Sequence, residues 1–113
     1  ESRLEGKVRL FLESQNVRFK QQFRFNDCRG EKYPLPFDFC LFYDTDNRML
    51  IEIDGERHFE ERFVDLRKND RRKDYYCKTN LIPLLRLSYK DIDNKDNIYK
   101  EKIIKFISQN QQQ

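Results

Sequence analysis

Leu4, Val8, Phe11 and Leu12 recur at the i, i+4, i+7, i+8 spacing of an amphipathic helix, so a helix is expected near the start of the chain. Ser14-Gln15-Asn16 interrupts that pattern, and the period then changes. Val17, Phe19, Phe23 and Phe25 fall on odd positions with Lys20, Gln22 and Arg24 between them, which predicts a half-buried strand. The run from Asn26 to Gly30 reads as a turn, with the hairpin returning through Tyr33 and Pro34. A second, aromatic-rich strand is expected from Pro36 to Phe42, ending at the polar turn Asp44-Thr45-Asp46-Asn47. A third runs from Met49 to Asp54 and is stopped by Gly55. Helical spacing without Gly or Pro extends from Phe63 to about Asn80. Ile82 to Leu87 has the length of a buried strand, Ile98 to Ile107 forms a closing helix, and Gln109 to Gln113 is a polar tail expected to fray.

The predicted order is α-β-β-β-α-β-α: a single α/β domain with a mixed central sheet flanked by helices. At 113 residues there is room for one such core and no second. The charged fraction of 38% is high, yet ten Phe and six Tyr argue against disorder, because disordered chains lack aromatics. No apolar run is long enough to span a membrane, and none resembles a signal peptide, so no membrane partner is expected. Three cysteines and one histidine form neither a disulfide framework nor a zinc module, and point to a reducing, intracellular setting, cytoplasmic or nuclear. The chain starts at Glu1 without Met, as either a trimmed chain or an excised domain would. A net charge of +3 decides nothing about partners, so the distribution of charge has to.

Candidate chemistry lies where polar residues break the pattern. In Ile51-Glu52-Ile53-Asp54, Glu52 and Asp54 share one strand face, either as the solvated side of an edge strand or as a deliberate acidic pair. Asp38 stands between Phe37 and Phe39 in an expected interior strand, a costly place for a carboxylate without a partner. Neighbouring second and third strands would bring Asp38, Glu52 and Asp54 together at one sheet end, and converging oxygens suit a hard cation such as Mg²⁺. Glu5 lies at the edge of the first helix's apolar stripe. On the second helix Asp70 and Lys73 share the apolar face, either as a rim salt bridge or as catalytic groups. His58, just past Gly55, is an exposed loop residue or a general base beside the carboxylates. Arg67, Lys68, Arg71 and Arg72, with Tyr75 and Tyr76 alongside, form a solvated helix face or a stripe able to contact phosphates.

In this order the residues resemble the PD-(D/E)xK nuclease superfamily. They are similar in particular to the branch containing the very short patch repair (Vsr-like) endonucleases and the phage homing endonucleases with a Vsr-like catalytic domain. The resemblance is carried by Leu4-Glu5 with Val8, by Pro34-Leu35-Pro36-Phe37-Asp38-Phe39, and by Ile51-Glu52-Ile53-Asp54-Gly55 with His58. Asn69-Asp70 with Lys73, and Ile82-Pro83-Leu84-Leu85-Arg86, complete it.

The resemblance implies a restriction-endonuclease-like fold over residues 1–108 and Mg²⁺-dependent hydrolysis of DNA phosphodiesters, with Mn²⁺ as a substitute. By position, Asp38 would be the central metal ligand, with Glu52 or the Ile53 backbone carbonyl completing the set. Glu5 would support the site through water, and His58 with Asp54 or Asp70 would handle the attacking water. Lys73 would face the developing phosphate charge, because the family's usual lysine is replaced by Asp54. Arg67, Lys68, Arg71 and Arg72 would hold DNA, helped by a homodimer partner or a fused recognition domain. A non-cleaving nucleic-acid-binding module of the same fold is the alternative, and an interaction domain whose acids only solubilise a sheet edge is a third.

Overall fold

A computed structural model describes residues 1–55 and 64–111, with side chains in the second segment described from residue 66 onward. The elements are α1 (Arg3–Ser14), β1 (Phe19–Arg29), β2 (Pro34–Leu41), β3 (Met49–Asp54), α2 (Val64–Thr79), β4 (Leu84–Ser88), α3 (Tyr89–Ile92) and α4 (Ile98–Asn110). They build one four-stranded sheet in the order β1-β2-β3-β4. β1, β2 and β3 pair antiparallel, and β4 lies parallel to β3 after the connection that contains α2. The expected mixed sheet between helices is therefore present. Among the described residues no helix is long and apolar enough to cross a membrane.

Two apolar layers sandwich the sheet. On one face α1, α3 and α4 bury Val8, Leu12, Ile92 and Ile103 against Phe39, Leu41, Met49, Ile51 and Leu87. On the other, α2 sets Cys77 against Cys40, Leu50, Leu35 and Phe37, with Phe23 and Phe25 at the margin. The ends of the helices are chemically marked. Ser2 caps α1 by accepting the Glu5 N–H at 3.1 Å, and Ser88 with Asp91 makes a reciprocal capping box on α3. All three cysteines are buried and free.

β1 continues to Arg29 where a turn is expected at Asn26–Gly30, and the chain reverses at Gly30, whose N–H donates to the Tyr33 carbonyl at 2.9 Å. The register slips between Arg24 and Arg29, so exposed Asn26 and Asp27 sit in an irregular stretch that still delivers Cys28 to the α2-side core. β2 accordingly starts at Pro34 rather than Pro36. β3 lies inside the sheet, which removes the reading of Glu52 and Asp54 as the solvated face of an edge. α4 runs two residues into the segment expected to be a polar tail, and the Asn110 side chain donates back to the Phe106 carbonyl at 2.8 Å. The short α3 has no counterpart in the periodicity.

The β1–β2 hairpin also changes sides. Phe19 and Phe39 belong to the α1/α4 layer, whereas Phe23 and Phe37 belong to the α2 layer. Residues two or four apart on a regular strand share a face. Both paired strands therefore exchange faces at the rung between Gln21↔Phe39 and Phe23↔Phe37, where Gln22 opposes Asp38. Gln22 marks the exchange with a left-handed backbone, φ 53°. A non-glycine residue there costs on the order of 1–2 kcal/mol, and a β-branched one is worse placed still. Gln22→Gly should leave stability unchanged or raise it, and Gln22→Val should lower it by roughly 2 kcal/mol, as read by urea denaturation.

Candidate functional site

The β2–β3 ladder carries regular pairing from Leu41↔Met49 to Phe39↔Ile51. At the next rung, side chains take over from the backbone. The Asp38 N–H donates to Glu52 Oε1 at 2.7 Å, and the Ile53 N–H donates to Asp38 Oδ2 at 2.7 Å. Each carboxylate thus stands in for a main-chain carbonyl where the two strands part, which gives Asp38 a reason to lie between two phenylalanines. Its other oxygen, Oδ1, has a long 3.4 Å contact from the Gln22 amide.

Glu52 is 3% exposed, and its Oε2 accepts from Lys73 Nζ at 2.9 Å. Lys73 is itself only 8% exposed, with its ammonium 5.3 Å from the centre of the Phe37 ring. Of the expected apolar face of α2, Cys77 is buried alongside Lys73 while Leu66 is exposed, and the partner Lys73 finds is Glu52 of β3. Burial, and then the neighbouring Asp38 charge, push the Glu52 carboxyl above the ordinary glutamate value, while Lys73 opposes both. Glu5 on α1 is raised for the same two reasons, burial first and Asp38 second. Asp38 therefore stands electrostatically between a carboxylate of α1 and one of β3, and all three acids come from different elements.

Asp54 is drawn elsewhere. Arg86 of β4 donates to Asp54 Oδ1 at 3.1 Å and to Asp74 Oδ1 at 2.8 Å, and its guanidinium stands 3.8 Å from Asp70 Oδ1. Its Nη2 also donates to the Asp70 carbonyl at 3.3 Å. The expected convergence is thus divided. Asp38, Glu52 and Glu5 form one group, while Asp54 and Asp70 gather with Asp74 around Arg86. Arg86 is not among the site residues expected from the sequence. A lone cation inside the apolar run Ile82–Leu87 is the signal that could have found it, since such a charge has to be paired to be buried. His58 lies outside the described residues.

Mg²⁺ commonly takes one or two protein carboxylates and completes its shell with water and substrate phosphate. The donors here fit that demand: hard oxygens of Asp38 and Glu52 on adjacent strands, in a place where acids already repel each other. Among the described residues no cluster of three or more His, Cys, Asp or Glu side chains could hold a metal alone. The cation stripe of α2 divides as well, since Lys68 and Arg71 are exposed, Arg67 and Arg72 are partly covered, and Lys73 turns inward. No family model matches the chain, no curated protein is significantly similar to it, and no solved structure matches it.

Removing one member of a buried ion pair leaves the other charged and dry. Lys73→Met should therefore cost about 3–5 kcal/mol, and the double variant Glu52→Gln/Lys73→Met less, in denaturant unfolding. The raised Glu52 carboxyl also fixes a pH dependence. The folded state holds this proton more tightly than the unfolded chain, so stability tied to Glu52 is greatest below its ordinary value of 4.5 and falls as pH rises through the elevated one. In metal-free buffer, the Tm difference between wild type and Glu52→Gln should shift against wild type as pH rises above 4.5.

Proposed function

We propose that this chain is a divalent-metal-dependent DNA endonuclease, or the catalytic domain of one, with a restriction-endonuclease-like arrangement of its sheet. The observation that carries the reading is the juxtaposition of Asp38 and Glu52 where β2 and β3 separate, with a buried lysine paired to Glu52. Two carboxylates concentrated at the end of a ladder are expensive for the fold, and they match the hard-oxygen demand of Mg²⁺ or Mn²⁺. The resemblance assigns Glu5, Asp38 and Glu52 to one site, and the mutual influence of these three acids supports the reading.

A bound dication would supply a charge sink for a phosphoryl oxygen and a water acidified toward neutral pH. The chain's own groups would do the rest. Asp38 and Glu52 would hold the ion, each kept in place by a backbone N–H. Lys73 would act as a positioning residue, keeping Glu52 charged against burial. Glu5 would add negative field from α1. Arg86 would orient Asp54 and Asp70, and His58 would be the proton acceptor for the attacking water. The exposed cations of α2 would bind phosphates, and a homodimer partner or a fused domain would supply target recognition.

The test is nicking of supercoiled plasmid with Mg²⁺ or Mn²⁺ against an EDTA control. Asp38→Asn keeps an acceptor for the Ile53 N–H and removes the charge, so it separates chemistry from folding better than alanine does. Divalent-dependent nicking should fall at least 100-fold in Asp38→Asn and by roughly 10²–10⁴ in His58→Ala, with circular dichroism unchanged. Equal cutting by Asp38→Asn and wild type would reject the assignment. Binding of DNA with no cutting under any divalent ion would leave the non-cleaving module as the reading.

A further inference from the structure

Apart from the carboxylate pair, the outer side of α2 forms a groove with the end of β1. Lys68, Arg72 and Tyr76 are spaced by four residues along the helix, as are Arg71, Tyr75 and Thr79, so the six lie along adjacent rows of one surface. One hollow of about 450 Å³ is bounded by Arg72, Tyr75 and Tyr76 together with Asp27 and Arg29 of β1. A second, of about 330 Å³, is bounded by Lys68, Arg71, Arg72 and Tyr75. Arg72 and Tyr75 line both, so the two hollows adjoin.

The walls are built rather than incidental. The Tyr76 hydroxyl donates to Asp27 Oδ1 at 2.7 Å and ties α2 to β1, which also engages the one carboxylate among the described lining residues. Arg72 Nη1 donates to Asn69 Oδ1 at 2.8 Å, which holds the guanidinium in place. A Cβ at Gly30 would press first on Leu35 Cδ2 at 3.0 Å and then on Asn69 Oδ1 at 3.3 Å, so the glycine lets the end of β1 lie close to α2. Tyr75 is 73% exposed, an aromatic ring left open beside four cations. Among the described residues no ion pair neutralises Lys68, Arg71 or Arg72.

We propose that this groove binds single-stranded DNA, with an unpaired base stacked on Tyr75 and the flanking phosphates on Lys68, Arg71 and Arg72. The chemistry selects that occupant over a regular duplex. A duplex satisfies cations through its phosphates but keeps its base faces stacked inside, so Tyr75 would have nothing to meet. A strand with unpaired bases offers phosphate charge and exposed π-faces in alternation. An acidic peptide would satisfy the cations and leave the ring unused.

The proposal deepens the nuclease reading by naming the substrate as DNA with unpaired nucleotides (a gap, flap or bubble), and it rests on that reading only for cleavage. Arg72 and Lys73 are consecutive on α2, so the groove and the carboxylate pair are served by adjacent residues of one helix.

Binding is measured on the full chain in EDTA, by fluorescence anisotropy with a labelled oligo-dT strand, the same length of duplex, and poly-glutamate as a competitor. The single strand should bind at least about fivefold more tightly than the duplex. Tyr75→Ala should weaken single-strand binding about tenfold and duplex binding less than twofold, and Tyr75→Phe should restore it. Arg71→Ala with Lys68→Ala should reduce the slope of log K against log salt by about 1.4, from two phosphate contacts at about 0.7 each on a single strand. Equal affinity for both DNA forms, indifference to Tyr75→Ala, or displacement by poly-glutamate as efficient as by oligo-dT would each overturn the proposal. Because no divalent ion is present, these outcomes stand apart from plasmid nicking: lost nicking with intact single-strand preference would defeat the nuclease reading alone.

Discussion

Lys73 reaching Glu52 through the floor of the α2 layer is the contact on which the rest of this structure leans. It is the point where a helix that is largely charged meets the centre of the sheet. Neither residue would tolerate its position alone, since an isolated buried charge costs several kcal/mol. Together, and with the Asp38 N–H on the other Glu52 oxygen, they fix the rotation of α2 about its axis. That rotation decides what the rest of the helix does. With Lys73 and Cys77 facing in, Arg71 and Tyr75 have to face out. The buried pair and the exposed basic stripe are therefore two results of a single helical phase.

The second ionic centre complements the first. Arg86 collects carboxylates from β3 and from α2, bracing the same helix against the same sheet from the neighbouring strand. Since Arg86 and Glu52 occupy one rung of the parallel β3–β4 pair, the positive and negative anchors of α2 alternate across the sheet. The acids are thereby sorted. Three acids share the one guanidinium of Arg86, and among the described residues the group around Asp38 has Lys73 as its one paired cation.

Much of this is legible in the residues themselves. Met49–Asp54 is bounded by a polar turn and Gly55, and its limits agree with the observed strand. Asp38, Glu52, Glu5 and Lys73 are conspicuous because each is polar where a core-facing pattern demands otherwise, and tertiary pairing is the only thing that makes such residues tolerable. Asp54 misleads for a physical reason: alternation places it on the Glu52 face, but the cation that captures it lies on a strand more than thirty positions away. The end of β1 is hidden because Asn26, Asp27 and Gly30 carry strong turn chemistry, which the register slip and burial of Cys28 override. The exchange of faces at Gln22 leaves no trace at all. Phe19, Phe23 and Phe25 have the same parity, and a left-handed glutamine looks like any other glutamine in a sequence.

That exchange has a consequence for how the chain tolerates change. Because both ribbons of the hairpin turn over in step, their phases are locked to each other as well as to the helices. Deleting one residue from β1 upstream of Gln22, without a matching deletion in β2, would put the two crossover points out of phase and swap phenylalanines between layers. Indels on this hairpin ought to arrive in compensated pairs or fall in the slipped stretch beyond Arg24, where the pairing already has slack.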